Sequence, residues 1–241
     1  MIKKHVSILF AVVFLLVAFA GYSLIIETNN GAIKSYEVNT ATTKLQFFWK
    51  DDQGRIFKTI GAVKNQLDKQ GKKMVFAMNG GMFKPGNEPV GLYIEKGKLL
   101  TPLDTSTSAG NFYLKPNGVY YIDNNGKAAI AETGKFIINN NIRFATQSGP
   151  MLLTDGKMHT AFNKNSQNLQ IRNGVGILPN GNTVFAMSTE KVSFYNFAQF
   201  FSKLGCRNAL YLDGSISRMY CPEKNILQTD GDFGVIIAAW E

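Results

Sequence analysis

The chain has 241 residues, 45% hydrophobic and 18% charged, enough apolar material to bury one sizeable core; one domain is the expectation at this length. Its formal charge is +9, but the 26 Lys and Arg are scattered rather than clustered. No basic helix, zinc-ligand spacing or aromatic RNA-binding motif accompanies them, which sets nucleic acid aside and leaves phosphate-bearing polymers or anionic surfaces as suitable partners.

The N-terminal 20 residues read as a secretory signal peptide. Lys3 and Lys4 precede an unbroken apolar run, Ile8 to Ala20, that ends in the small-x-small pattern Ala18-Phe19-Ala20. Cleavage would release an exported protein of charge +7 into the periplasm or the extracellular space. An uncleaved segment would instead anchor it, and residues 1–20 are the one expected membrane contact. No cysteine follows the run, which disfavours a lipoprotein anchor. Residues 21–44 read as lead-in strands, including Tyr22–Ile26, and residues 45–241 as the functional domain.

From there the chain alternates short β-type runs with turn signals. Lys44–Trp49, Val90–Ile94, Val119–Ile122, Met151–Thr154 and Thr183–Met187 are predicted strands, and "GILPNGNTVFAM" (176–187) is a predicted hairpin. Asn-Gly or Asp-Gly pairs begin at 30, 79, 117, 125, 155, 173, 180, 213 and 230, and each suits the positive φ of a tight turn. Two segments break the rhythm. In "RIFKTIGAVKNQLDKQG", Ile56, Ile60, Val63 and Leu67 share one helical stripe, and Gly71 can end it. In "SFYNFAQFFSKLG", Phe194, Phe197, Phe201 and Leu204 do the same, between a Ser193 N-cap and a Gly205 terminator. Each helix precedes an apolar run without alternation, Met74–Met78 and Ala209–Leu212, as a central strand buried on both faces requires. The expected fold is α+β, a single domain of mixed, mainly antiparallel sheets with two principal helices.

Polar residues at the ends of such buried strands are candidates for chemistry, because a rigid scaffold presents them. Asp213 follows Ala209–Leu212. It is a reactive carboxylate or the first residue of an ordinary Asp-Gly turn. "MVFAMNGGMF" ends a second run in Asn79, Gly80 and Gly81, and "RFATQSGPMLL" ends a third in Gln147, Ser148, Gly149 and Pro150. Turns account for both as well as ligand contacts do. Arg172 in "IRNGVGI" is a solvent-facing residue or a fixed guanidinium for an anion. Cys206 and Cys221 flank the Asp213 segment, as a disulfide staple or as two separate buried thiols.

Taken in order, "NGGMF", "EPVGLYIEKGK", "QSGPML", "IRNGVGI" and "FFSKLGCRNALYLDGSISRM" resemble the phosphodiester glycosidase family, above all its bacterial branch. The resemblance runs from about Leu45 to the C-terminus. It implies a single α/β-type domain and cleavage of a sugar-1-phosphodiester. Many members carry Leu-Asp-Gly-Gly-Gly-Ser where this chain has Leu212-Asp213-Gly214-Ser215-Ile216-Ser217, and Asn-Ala-Gly-Phe-Phe where it has Asn79-Gly80-Gly81-Met82-Phe83.

The chemistry so implied needs a carboxylate at the anomeric carbon and a cation for the departing phosphate. Asp213 is the first choice for the carboxylate, as nucleophile or as base for water. Glu88, otherwise a solvated loop residue, is the candidate second carboxylate. Arg172 is the first choice for the cation, with Lys84 and Arg218 behind it. Asn79, Gly80, Gln147, Ser148, Gly214 and Ser215 would surround the substrate, amides and hydroxyls offering both donors and acceptors. No metal site is expected: one histidine, His159, remains beyond the signal segment, and the "QTDGDFG" and "DNNG" fragments lack a full calcium-loop spacing. The reaction calls for no cofactor, and a divalent ion is left open. Two other readings use the same residues less fully: a non-catalytic phosphosugar- or glycan-binding envelope protein, and an envelope interaction module working through its basic surface.

Overall fold

A computed structural model describes residues 31–241. The expected signal segment and the expected strand Tyr22–Ile26 lie outside the described residues. Among the described residues no helix is long and apolar enough to cross a membrane.

The chain forms β1 (Ile33–Val38), β2 (Lys44–Phe48), α1 (Ile60–Lys69), β3 (Met74–Asn79), β4 (Phe83–Lys84), β5 (Glu88–Pro89), β6 (Tyr93–Glu95), β7 (Lys98–Thr101), β8 (Gly118–Asp123) and β9 (Ala128–Glu132). It continues through β10 (Ile142–Ser148), β11 (Met151–Thr154), β12 (Lys157–Met158), β13 (Asn173–Ile177), β14 (Thr183–Ser188), α2 (Phe194–Lys203), β15 (Ala209–Asp213), β16 (Met219–Cys221), β17 (Ile226–Leu227) and β18 (Ile236–Trp240). Three larger sheets run β1-β14-β13-β15-β11-β12, β7-β6-β10-β8-β9 and β17-β16-β3-β18-β2; β4 and β5 form a separate hairpin. The strand pairings are antiparallel. This is the expected α+β single domain.

One core joins the three sheets. Phe47, Phe76 and Ile237 come from the third sheet, Tyr120 and Phe144 from the second, and Phe185 and Leu210 from the first. Each such side chain taken out of water stabilises the fold by roughly 1.5–3 kcal/mol before entropy is counted. The helices cover outer faces. α1 lays Ile60, Val63 and Leu67 against Ala77, Ile236 and Ala238. α2 lays Phe197 and Phe201 against Leu152, Ala209 and Tyr211. This explains the unbroken apolar runs. On β15, Leu210 and Leu212 face the shared core while Ala209 and Tyr211 face α2. On β3, Phe76 and Met78 face the shared core while Ala77 faces α1. Both strands are central, as expected.

The helix ends follow capping chemistry. The Ser193 side chain accepts the Asn196 N–H, and Gly205 takes φ +78 after Leu204. α1 begins later than its apolar stripe: Thr59 caps it through the Ala62 N–H, and Ile56 instead bridges to Lys50. Leu204 is partly exposed rather than core. The stretch read as a lead-in contains β1, which pairs along its whole length with β14.

Eight of the nine Asn-Gly and Asp-Gly pairs divide into two kinds. Gly126, Gly156, Gly181 and Gly231 take positive φ, as turn glycines do. Gly80, Gly118, Gly174 and Gly214 do not. These sit where backbone or side chain presses close: a Cβ on Gly174 would lie 2.8 Å from the Leu210 carbonyl oxygen and 3.0 Å from the Phe197 ring. Three of these four tight pairs, at 79, 173 and 213, meet at one place.

Candidate active site

The meeting point is where β3, β13 and β15 end side by side. Asn173 and Asp213 are register partners across β13 and β15, just beyond a bulge that follows a shift between Asn173 and Gly174. The bulge turns Asp213 to the Asn173 side of the sheet, while Tyr211 keeps to the α2 side. Asn79, the last residue of β3, approaches from the neighbouring sheet.

Six hydrogen bonds lock the junction. Asn173 Nδ2 donates to the Asn79 carbonyl at 2.8 Å and to Asn79 Oδ1 at 3.1 Å. Asn173 Oδ1 accepts the Asp213 N–H at 2.7 Å. Asn79 Oδ1 accepts the Arg218 N–H at 2.9 Å, which fixes the far end of the turn after Asp213. Asn79 Nδ2 donates to Asp213 Oδ2 at 3.3 Å, a long bond. The other oxygen, Oδ1, accepts the Gly214 N–H at 2.7 Å. The turn closes on itself through the Ser217 N–H and hydroxyl, both bound to the Gly214 carbonyl.

Asp213 belongs to none of the ion pairs found among the described residues. Burial therefore dominates its ionisation and pushes the carboxyl up to about 6, against the opposing pull of the Gly214 N–H and the Asn79 amide. Such a group is mostly ionised at neutral pH yet far more basic than a surface aspartate. That combination suits a base or a nucleophile.

The other expected site residues are placed as follows. Asn79 and Gly80 are at the junction, both buried, with the Gly80 N–H bound to the Val235 carbonyl. Ser148 is buried, and its hydroxyl donates to the Leu212 carbonyl at 2.8 Å, tying β10 to the backbone just before Asp213. Gln147 has no free polar atom. Oε1 accepts the N–H groups of Leu92 and Asp104, and Nε2 donates to the Asp104 carbonyl and the Thr133 hydroxyl. It braces the 104 loop. Gly214 and Ser215 lie in the turn, Ser215 exposed. Glu88 is exposed on the β4–β5 hairpin and pairs with Lys84 at 3.0 Å rather than with any group at the junction.

Arg172 is fixed but sequestered, at 1% exposure. It precedes Asn173 on the chain and so points to the opposite face. There its guanidinium lies 3.6 Å from the Phe194 ring centroid and donates to the carbonyls of Val192 and Asn168. Tyr211, 5.6 Å away, joins it to the junction: a Cβ on Gly214 would lie 2.6 Å from the Tyr211 hydroxyl. Cys206 and Cys221 are free, buried thiols, one packed under α2 and the other in the shared core, so no staple spans the segment. Among the described residues, no group of three or more His, Cys, Asp or Glu side chains gathers as a metal site would.

Asn173 is the residue missed by the sequence reading, which passed over it for the adjacent arginine. A signal was available: it belongs to an Asn-Gly pair inside a buried strand, where no turn is needed.

The chain matches the phosphodiester glycosidase family model over residues 72–234. It is 38% identical over 189 residues to the uncharacterised protein YigE of Escherichia coli (strain K12), covering 78% of this chain and 74% of that protein. Its fold is similar to the catalytic domain of zebrafish N-acetylglucosamine-1-phosphodiester alpha-N-acetylglucosaminidase, auto-inhibited by its pro-peptide, with a TM-score of 0.53 and 14% identity over 87% of this chain and 88% of that one. A hypothetical protein from Synechocystis shares the fold at a TM-score of 0.55 and 14% identity, over 86% of this chain and 59% of that one. The tight junction of Asn79, Asn173 and Asp213 therefore lies within the matched region, and the chain belongs to the phosphodiester glycosidase family.

Proposed function

We propose that this protein is an exported hydrolase that cleaves the C1–O bond of a sugar-1-phosphodiester in an envelope or extracellular glycan. Export rests on the signal-like residues 1–20; the periplasm or the extracellular space is the proposed location. The observation that carries the reaction is Asp213: a single carboxylate with no cationic partner, held by Asn79 and its own backbone at the mouth of three strand ends. The named activity of the zebrafish relative supplies the substrate class.

Asp213 either attacks C1 or takes a proton from the water that does. In both cases the C1–O bond breaks and its electron pair leaves on the phosphate. A phosphate monoester is a weakly basic leaving group, so a strong general acid at Glu88 is not required. Arg172 acts at a distance, lending positive potential through the Tyr211 side of the junction, while Arg218, in the same turn as Asp213, is the cation within reach of solvent. Asn79 orients the carboxylate, and Ser148 and Gln147 hold the strands and loop around it. The mechanism calls on no cofactor.

The test is hydrolysis of an N-acetylglucosamine-1-phosphodiester in water labelled with heavy oxygen. Label is expected in the sugar. Label in the phosphate would mean P–O cleavage and overturn the proposal. Absence of turnover for every sugar-1-phosphodiester, with micromolar glycan binding, would establish a binding protein instead.

A further inference from the structure

At the end of β10 away from the junction lies a cleft of about 310 Å³, at the lower end of small-molecule sites, roughly 300–1,000 Å³. Two loops wall it, residues 40–43 between β1 and β2 and residues 124–126 between β8 and β9. The edge strand β2 adds Lys44 and Gln46, and β10 adds Arg143. The stretch from Arg143 to Ser148, at about 3.4 Å per residue, sets the cleft roughly 17 Å from the junction, since Ser148 binds the Leu212 carbonyl.

The walls are fixed in advance. Thr40 Oγ1 donates to the Gly126 carbonyl at 2.6 Å, and a Cβ on Gly126 would lie 2.6 Å from Ala41 Cα. Asn39 holds the first loop: Oδ1 accepts the Ala41 N–H at 3.0 Å, and its carbonyl accepts the N–H groups of Thr42 and Thr43. Little ordering is then left for a ligand to impose.

The lining is rich in unspent donors. Arg55, Arg172, Arg207 and Arg218 all commit their guanidinium groups to carboxylates or carbonyls. Arg143 is the one arginine whose side chain has no hydrogen bond or ion pair with the described residues; it lies 5.3 Å from the Phe144 ring centroid. Lys44, the Gln46 and Asn125 amides and the Thr43 hydroxyl are equally uncommitted among the described residues. No Asp or Glu lines the cleft. Asp123, in the adjoining turn, spends Oδ1 on the N–H groups of Asn125 and Lys127, and Glu241, beyond Trp240, lies 4.0 Å from Lys73. Two cations without a counter-ion suit a phosphate, and amides and a hydroxyl beside them suit sugar hydroxyls.

We infer that this cleft is a second binding site, distinct from the Asp213 junction, and that it takes a phosphate group carried on a sugar. Arg143 and Lys44 hold the phosphate, and Gln46, Asn125 and Thr43 read the sugar. The inference does not depend on the reaction at Asp213.

The probe is N-acetylglucosamine 6-phosphate, which has no ester at C1 to cleave, titrated while backbone amide shifts are followed by NMR. Saturable shifts are expected in residues 40–44 and 124–126, at lower concentration than with inorganic phosphate or N-acetylglucosamine alone. Lys44→Gln with Arg143→Gln, both at exposed positions, should weaken binding at least about tenfold, as loss of charge-assisted bonds implies. Lys157→Gln with Lys203→Gln removes the same charge from exposed positions on β12 and α2 and should leave binding unchanged. So should Asp213→Asn, whether or not the protein turns over any phosphodiester. Equal loss in the two double variants would mean bulk charge attraction and overturn the inference. Inorganic phosphate binding as tightly as the phosphosugar would mean an ion contact only and overturn it too. Absence of shifts in both loops, or shifts produced by phosphatidylglycerol vesicles and not by the phosphosugar, would likewise remove the site.

Discussion

Asn173 holds Asp213 by its backbone and not by its carboxylate: Oδ1 accepts the Asp213 N–H at 2.7 Å while Nδ2 turns away to Asn79. The position of the acid is thus fixed without a strong donor being spent on its charge. The carboxylate keeps one short bond, from the Gly214 N–H, and one long one, from Asn79. This separation of placement from charge stabilisation leaves a half-buried aspartate whose ionisation is set mainly by desolvation.

Activity should follow that ionisation. As a base or nucleophile Asp213 must be charged, so kcat/KM is expected to rise with pH and reach half its plateau near pH 6. Asp213→Asn should lose about 10²–10⁴-fold in kcat with its circular dichroism unchanged. A folded variant that retains activity removes Asp213 from the mechanism.

Stability should run the other way. The folded value, about 6, lies above the ordinary 3.8. Below the lower value both states are protonated and the carboxyl costs nothing. Between the two only the unfolded chain ionises, so stability falls as pH rises, and above about 6 the loss is complete. It amounts to something on the order of 3 kcal/mol. Denaturant titrations of wild type and Asp213→Asn between pH 3.5 and about 7.5 check this; a difference independent of pH contradicts the assignment.

Asn79 and Asn173 should fail differently. Asn79→Ala removes a donor that favours the charged carboxylate, so the acid limb of the rate profile should move to higher pH. Asn173→Ala leaves the Asp213 N–H and the buried Asn79 carbonyl without their partner and should destabilise the fold by about 1–3 kcal/mol. Identical pH profiles for wild type and Asn79→Ala would show that the 3.3 Å contact is not made in solution.

Gly214 is required by Tyr211. A methyl group there would meet the phenol oxygen at 2.6 Å, so Gly214→Ala should cost activity and about 1–3 kcal/mol of stability. Adding Tyr211→Phe removes the obstructing oxygen and should restore part of both. Strict additivity in the double-mutant cycle would place the damage elsewhere.

Cys206 and Cys221 should both react with a thiol reagent after denaturation without reductant, since they pack in different parts of the core. Protection of both would reveal a disulfide.

Periodicity alone carried the two helices, the buried strands before Asn79 and Asp213, and the α+β class. The reason is local: α1 and α2 show a 3.6-residue stripe between a Ser or Thr cap and a terminating Gly, and strands covered on both faces must be apolar throughout. The family resemblance, too, lay in the linear order of motifs. Long-range placement was not legible. β18 is an apolar pentapeptide near the C-terminus that gains its meaning only between β2 and β3. Arg172 and Asn173 are adjacent in the chain, but strand alternation sends one beneath Phe194 and the other to Asp213. Side-chain types and periods are written residue by residue, whereas which face a residue takes depends on register and bulges between strands far apart in the chain, and Asn79 and Asp213 meet across 134 positions. Tertiary structure alone therefore decided that Asn79, Asn173 and Asp213 form one junction, while Gln147 and Glu88 do not join it.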